Sequence, residues 1–378
     1  MNKKQRNLIL FFFFIIIGFV YLALSSVNIP DLYIDGTKVE LSSSIKVKDE
    51  QFFISLKEIE EVLGVSFESE SNYVPISDVE TFGYTVVYEE DISSLSILSN
   101  DYIYPQDKIN IPILMYHNLV PGENNSITVD PDRFKEQLLS LKKAGFTTIN
   151  DHELLSFLHG ELTLPEKPIM ITFDDGYLSN YEYAFPILKE LNMKATMFVI
   201  GVSRGKKPFN YEHFTWKQAR EMYETGLIEI QSHTFDLHYQ RENSQKKMVG
   251  MIAEPVYIKG ELETIDEYIE RAAQDFKDSK HYIEKNVGNK VVSFSYPYGT
   301  YSDLSEQLAK KAGYRLTYTV QRGYTTLEDD GYLLNRFNVD GTQSGEDVVK
   351  MIENYSRLEH YFSHIVQKLR SVFTLFAE

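Results

Sequence analysis

Two carboxylates stand side by side in Thr172-Phe173-Asp174-Asp175-Gly176, where the apolar run 169–173 ends. Adjacent acids at a turn often do no more than cap the next helix, so alone they decide little. Further on, Ser232-His233-Thr234-Phe235-Asp236-Leu237-His238 places two imidazoles in one loop, again after a short apolar run. A lone histidine is usually a satisfied surface or core residue. Two in a loop, with an aspartate from elsewhere, make up the two-histidine, one-carboxylate set that binds a zinc-like ion and leaves positions open for water and substrate. A third stretch, Phe294-Ser295-Tyr296-Pro297-Tyr298-Gly299, joins a rigid Pro to a permissive Gly, a turn able to aim a backbone N–H at an oxyanion. The fourth feature is His117, which closes the run Ile113-Leu-Met-Tyr116.

All four lie where a predicted strand ends. From residue 111 onward, short apolar strands alternate with amphipathic helices. One helix is predicted over 131–145 with Phe134, Leu138 and Leu141 on one face. A longer one over 264–286 has Ile265, Tyr268, Ile269, Ala272, Phe276 and Ile283 on its apolar side. This alternation predicts an α/β fold, a distorted (β/α) barrel over 108–345, whose strand C-terminal ends carry the chemistry. Residues 346–378 read as a helical extension. Residues 28–107 read as a small α/β surface module in which strand, short helix, glycine and strand occur twice. There Asp35-Gly36 turns a hairpin, Ser55 and Glu58 form a capping box, Gly64 stops a helix and 65–68 resume a strand. The module contains no cluster of metal-ligating or acid–base residues, which favours a spacer or wall-contact role. At the N-terminus, Lys3, Lys4 and Arg6 precede an apolar run over 8–24. Segment 1–27 therefore reads as a membrane anchor with its basic flank cytoplasmic and the remainder of the chain outside. Ala23 and Ser25 also fit a signal-peptide cleavage site that would release a secreted form.

The 378 residues are 43% hydrophobic and 25% charged, a globular balance. A formal net charge of −17 disfavours nucleic acid and anionic lipid as partners. With no cysteine in the chain, disulfides, thiolate metal sites and cysteine nucleophiles are excluded. Most of the 26 tyrosines and 24 phenylalanines serve the core, and exposed ones suit a sugar-binding face.

Together, TFDDG, SHTFDLH, FSYPYG and ILMYH resemble the motifs of polysaccharide deacetylases with a NodB-homology domain. Their order resembles the circularly permuted branch that acts on poly-N-acetylglucosamine exopolysaccharide, and the resemblance spans residues 111–340. It implies a metal-dependent enzyme removing N-acetyl groups from an extracellular glucosamine polymer and releasing acetate. It makes Asp174 the general base, Asp175, His233 and His238 the ligands of one divalent ion, and His117 the general acid. The backbone N–H of Tyr298 becomes the oxyanion donor. Zinc is the first expectation for the ion, with cobalt, nickel and iron compatible with the same donors. Tyr177, Pro297 and Arg336 are the expected substrate-side residues.

Three departures accompany the resemblance. The two metal histidines are spaced one residue wider than in the commoner pattern. Ser295 stands where an arginine is usual, which makes Arg336 the candidate for steadying Asp174. The motif that usually contains a tryptophan is not visible, since Trp216 is the only one in the chain. The module at 28–107 resembles the copper amine oxidase N-terminal-like domain, a name that implies no copper here. Competing readings are a deacetylase of peptidoglycan or chitooligosaccharide, an esterase of acetylated xylan, and a catalytically silent surface module that binds polysaccharide.

Overall fold

The computed structural model describes residues 105–355, apart from 209, and most of 31–99. The apolar run 8–24 and the tail 356–378, with the anchor and most of the helical extension expected there, lie outside the described residues. Among the described residues, no helix is long and apolar enough to cross a membrane. The chain divides into two compact units, residues 1–104 and 105–378.

In the first unit, Asp31–Ile34 and Thr37–Val39 form the expected antiparallel hairpin. Asp31–Ile34 also pairs in parallel with Ser94–Ser99, a strand the sequence reading missed, and that strand pairs with Tyr84–Glu89. A second sheet joins Lys46–Lys48, Gln51–Ser55 and Tyr73–Pro75. The helix Leu56–Leu63 ends at Gly64 in the left-handed conformation (φ 68°), as a glycine C-cap should. Its N-terminus differs from expectation: the Ser55 side chain caps nothing. Residues 65–67 form no strand; instead the Phe67 amide donates to Glu60 Oε1 (2.8 Å).

The second unit is built on parallel strands lying side by side in chain order. These are β1 (Ile111–Tyr116), β2 (Pro168–Phe173), β3 (Ala195–Val199), β4 (Ile228–Ser232), β5 (Ser293–Ser295) and β6 (Leu316–Tyr318). Every residue of β1, β2 and β3 is buried, as in a parallel sheet covered on both faces. Two short strands add to β1, β7 (Tyr324–Thr325) antiparallel and β8 (Phe337–Asn338) parallel. Just before β8, Leu334 bridges to Tyr318 of β6, so the stretch 334–338 reaches both edges of the sheet. The sheet is accordingly a curled, largely parallel half-barrel.

Helices α1 (Pro131–Lys143), α2 (Asp151–Leu158), α3 (Phe185–Leu191), α4 (Trp216–Tyr223), α5 (Ile265–Val287), α6 (Asp303–Lys311) and α7 (Gly345–Glu353) accompany the sheet. Local chemistry sets their ends. Asp130 caps α1 by accepting from the Asp132 and Arg133 amides, with Pro131 at the first helical position. A reciprocal Thr264–Glu267 capping box opens α5, and Gly288 at φ 90° closes it. Tyr268, Ala272, Phe276 and Ile283 of α5 are buried as their spacing predicts. Ile265, expected on the same side, is 55% exposed because it lies at the first helical position, beyond the packed face.

Candidate metal and acid–base site

Strand register brings the candidate groups together. Tyr116 of β1 pairs with Phe173 of β2, and the Asp174 amide donates to the Tyr116 carbonyl (3.0 Å), so His117 and Asp174 leave adjacent strands at one level. Ser232 of β4 pairs with Phe294 of β5, which sets His233 beside Ser295. The result is a cluster at the C-terminal ends of neighbouring strands.

Its centre is formed by Asp175, His233 and His238. Asp175 Oδ1 lies 3.1 Å from His238 Nε2 and 3.6 Å from His233 Nε2. The two Nε2 atoms are 3.1 Å apart. Two imidazole nitrogens that close cannot both carry a proton toward the other, and Asp175 Oδ1 is buried without a directed hydrogen bond. Three atoms able to ligate a metal ion thus lie close together, one from each side chain. Ligand atoms about 2.1 Å from a tetrahedral ion stand about 3.4 Å apart, which these spacings fit. The His233 ring is fixed from behind: its Nδ1 donates to the Ser295 carbonyl (2.7 Å), so Nε2 keeps its lone pair. Burial lowers the His233 pKa to about 4, against the pull of Asp174 and Asp175, so the ring is neutral near pH 7. For His238 burial also acts downward, but Asp175 outweighs it and the pKa rises. Burial raises the Asp175 carboxyl, yet His238 and then His233 prevail and hold it far below the usual carboxylate range.

Asp174 is held differently. Arg336, fully buried, donates from Nη1 to Oδ1 and from Nη2 to Oδ2, both at 2.8 Å. Ser295 Oγ donates to Asp174 Oδ2 (3.2 Å) and accepts from Arg336 Nη2 (2.9 Å), so serine and arginine together occupy the carboxylate. Burial pushes this acid up, but Arg336, His233 and His117 more than offset it and its pKa falls to about 2. Arg336 therefore steadies Asp174 from beneath. Its full burial against Asp174 sets it apart from the exposed substrate-side residues with which the sequence groups it. Pro297 is likewise buried in its turn.

Tyr298 sits at φ 57° beside Gly299 at φ 65°, a tight turn in which a Cβ on Gly299 would stand 2.3 Å from Val320. The next two amides are engaged, Gly299 with the Tyr296 carbonyl (3.0 Å) and Thr300 with that of Pro297 (3.1 Å). The Tyr298 ring, 46% exposed, packs against His238 with centroids 4.9 Å apart. Tyr177 is half-buried, its ring 5.5 Å from that of exposed Tyr211. His117 is half-buried and its Nδ1 has no hydrogen-bond partner among the described residues, while its backbone carbonyl accepts from Asn180 Nδ2 (2.8 Å).

Two residues that the sequence reading missed hold the acidic turn. Asp175 and Gly176 both adopt φ 71°, and buried Arg204 donates to their carbonyls at 2.8 and 2.7 Å. A Cβ on Gly176 would lie 2.5 Å from the Arg204 guanidinium, so only glycine admits it. His213 Nδ1 lies 2.8 Å from Arg204 Nη2 and therefore accepts. Burial and then Arg204 hold the His213 pKa down to about 4, keeping that ring neutral. Nothing in the local sequence around Arg204 signals this contact.

The curled parallel sheet thus carries, at its strand ends, a buried acid and three side chains whose donor atoms are close enough together to hold a metal ion. A profile of the family described as polysaccharide deacetylase matches residues 161–317. YxkH of Bacillus subtilis (strain 168), whose name places it provisionally among polysaccharide deacetylases, is 31% identical over 253 residues, 67% of this chain and 80% of its own. The poly-beta-1,6-N-acetyl-D-glucosamine N-deacetylase of Staphylococcus epidermidis is 30% identical over 231 residues, 60% of this chain and 74% of its own. A solved structure of a de-N-acetylase from Aggregatibacter actinomycetemcomitans is similar with a TM-score of 0.58 at 26% identity, covering 64% of this chain and 100% of that one. The chain belongs to the polysaccharide deacetylase family.

Proposed function

We propose that this enzyme removes N-acetyl groups from N-acetylglucosamine units of an extracellular polysaccharide of the poly-β-1,6 type, releasing acetate. The observation that carries the reading is the buried Asp174–Arg336 pair set beside the converging Asp175, His233 and His238 donors. Those three side chains would hold one divalent ion, zinc being the first candidate among zinc, cobalt, nickel and iron. When bound, the ion supplies Lewis acidity toward a carbonyl and a water molecule. Asp174, kept ionised by Arg336, accepts a proton from the attacking water as the C–O bond forms. The Tyr298 amide donates to the oxyanion of the tetrahedral intermediate. His117 gives its proton to the leaving nitrogen as the C–N bond breaks, yielding acetate and a free amine on the sugar. Tyr177 and Tyr298 present aromatic surface to the polymer. The preference for a β-1,6 polymer draws on the similarity to the poly-beta-1,6-N-acetyl-D-glucosamine N-deacetylase of Staphylococcus epidermidis. An extracytoplasmic location, with segment 1–27 as anchor, is supported by the basic flank and the apolar run that follows it.

The test is acetate release from β-1,6-linked and β-1,4-linked N-acetylglucosamine polymers and from peptidoglycan, with metal-reconstituted protein and with a chelator present. Chelator-sensitive release, greatest from the β-1,6 polymer, is expected. Release from none of the three would rule out the deacetylase and leave a binding module. Release favouring peptidoglycan would overturn only the substrate.

The Asp174–Arg336 pair adds a pH prediction. In Arg336→Gln burial still raises the Asp174 pKa while its main counter-charge is gone, so that pKa climbs from about 2. The acid limb of the pH–rate profile should then move upward, with turnover recovering toward alkaline pH. Losing one partner of a buried pair also costs stability, about 3–5 kcal/mol. An unmoved acid limb in the folded variant would show that Asp174 is not the base.

A further inference from the structure

The loop that bears both imidazoles is an unfavourable piece of backbone. Thr234 lies at φ 78°, a left-handed conformation that a β-branched residue rarely adopts, and its hydroxyl is buried without a partner among the described residues. Such a conformation persists only where its surroundings over-determine it. On one side, the Thr234 and Phe235 carbonyls accept from the amides of Gly201 (3.0 Å) and Val202 (2.9 Å). That approach is close enough that a Cβ on Gly201 would stand 2.4 Å from the Phe235 ring. On the other side, the Phe235 amide donates to Asp275 Oδ1 (2.9 Å) and the Asp236 amide to Oδ2 (2.7 Å). Asp275 projects from the middle of α5 and is only 6% exposed.

We propose that Asp275 is a positioning residue for the metal centre, its carboxylate fixing the loop so that His233 and His238 converge on Asp175. This rests on the metal-centre reading above. The chemistry requires a carboxylate, because only that group offers an acceptor oxygen to each of two successive amides. Asparagine supplies one oxygen and turns an NH2 donor toward the second amide; leucine supplies nothing. The buried acid is unfavourable in itself, since burial raises its pKa to about 7 even though both amides act to lower it.

The experiment measures zinc affinity of metal-free protein by competition with a chromophoric chelator, alongside thermal unfolding, for wild type, Asp275→Asn, Asp275→Leu and Leu308→Ala. Leu308 is a core residue of α6, so its truncation lowers stability while keeping the Asp275 carboxylate and both loop amides. Both Asp275 variants are expected to bind zinc about 10- to 100-fold more weakly, the usual consequence of losing a group that orients a ligand. Leu308→Ala should keep wild-type affinity. Wild-type affinity in Asp275→Asn, which is nearly isosteric, overturns the inference even if the leucine variant does not fold. A wild-type protein that takes up no divalent ion would overturn the metal centre itself and this inference with it.

Discussion

Alanine at His233 is expected to give a folded protein that holds no stoichiometric divalent ion and releases acetate roughly 10³-fold more slowly or worse in kcat/KM, because Lewis-acid assistance is worth several kcal/mol. The fold should survive, since outside the cluster with Asp175 and His238 the ring's hydrogen bond is the one to the Ser295 carbonyl, and leaving that acceptor unmet costs about 1–3 kcal/mol. The ion should not, because Asp175 and His238 alone supply two donors. His238→Ala should behave alike, with a smaller effect on stability because His238 is the less buried of the two. Elemental analysis of metal content beside circular dichroism makes the measurement. Full metal occupancy in folded His233→Ala would remove this residue from the ligand set.

How far the sequence discloses this site depends on how local each contact is. Asp174, Asp175, His233 and His238 could be picked out because each motif terminates an apolar strand run, and a strand end in such a fold is where reactive groups collect. The long helix α5 was equally legible, since its capping box, apolar spacing and terminal glycine agree. The groups that make the site rigid were harder. Arg336 reaches Asp174 across 162 residues, and it was singled out only because Ser295 left Asp174 without the usual arginine. Arg204 and Asp275 act on backbone atoms 28 to 40 residues away and have no motif of their own. The capping box expected at Ser55 shows the opposite error: the residue types were right, but the side chain does not turn to the amides. The strand Ser94–Ser99 escaped although Ser94-Leu-Ser-Ile97 alternates polar and apolar residues, because it is short and its pairing to Asp31–Ile34 is set by tertiary context.

His117 separates the permuted arrangement from a deacetylase fold in general, and its replacement should have the other large effect. A structural histidine at the end of β1 would be satisfied by neighbouring backbone groups, yet Nδ1 is buried with no partner among the described residues. Strand register places His117 beside Asp174, and its charge acts on both Asp174 and Asp175. The role proposed for it is to protonate the leaving nitrogen of an acetamide, which departs poorly without a proton. His117→Asn should lower turnover on acetamides by roughly 10²–10⁴, the usual worth of a positioned general acid. Metal content should not change, because the three ligand atoms belong to other side chains. The loss should shrink for activated aryl acetates, whose leaving groups need little protonation, and that dependence on leaving group is what a merely structural defect would not produce. Loss of metal in His117→Asn, or near-normal turnover on acetamides, would show that the leaving nitrogen takes its proton from another group.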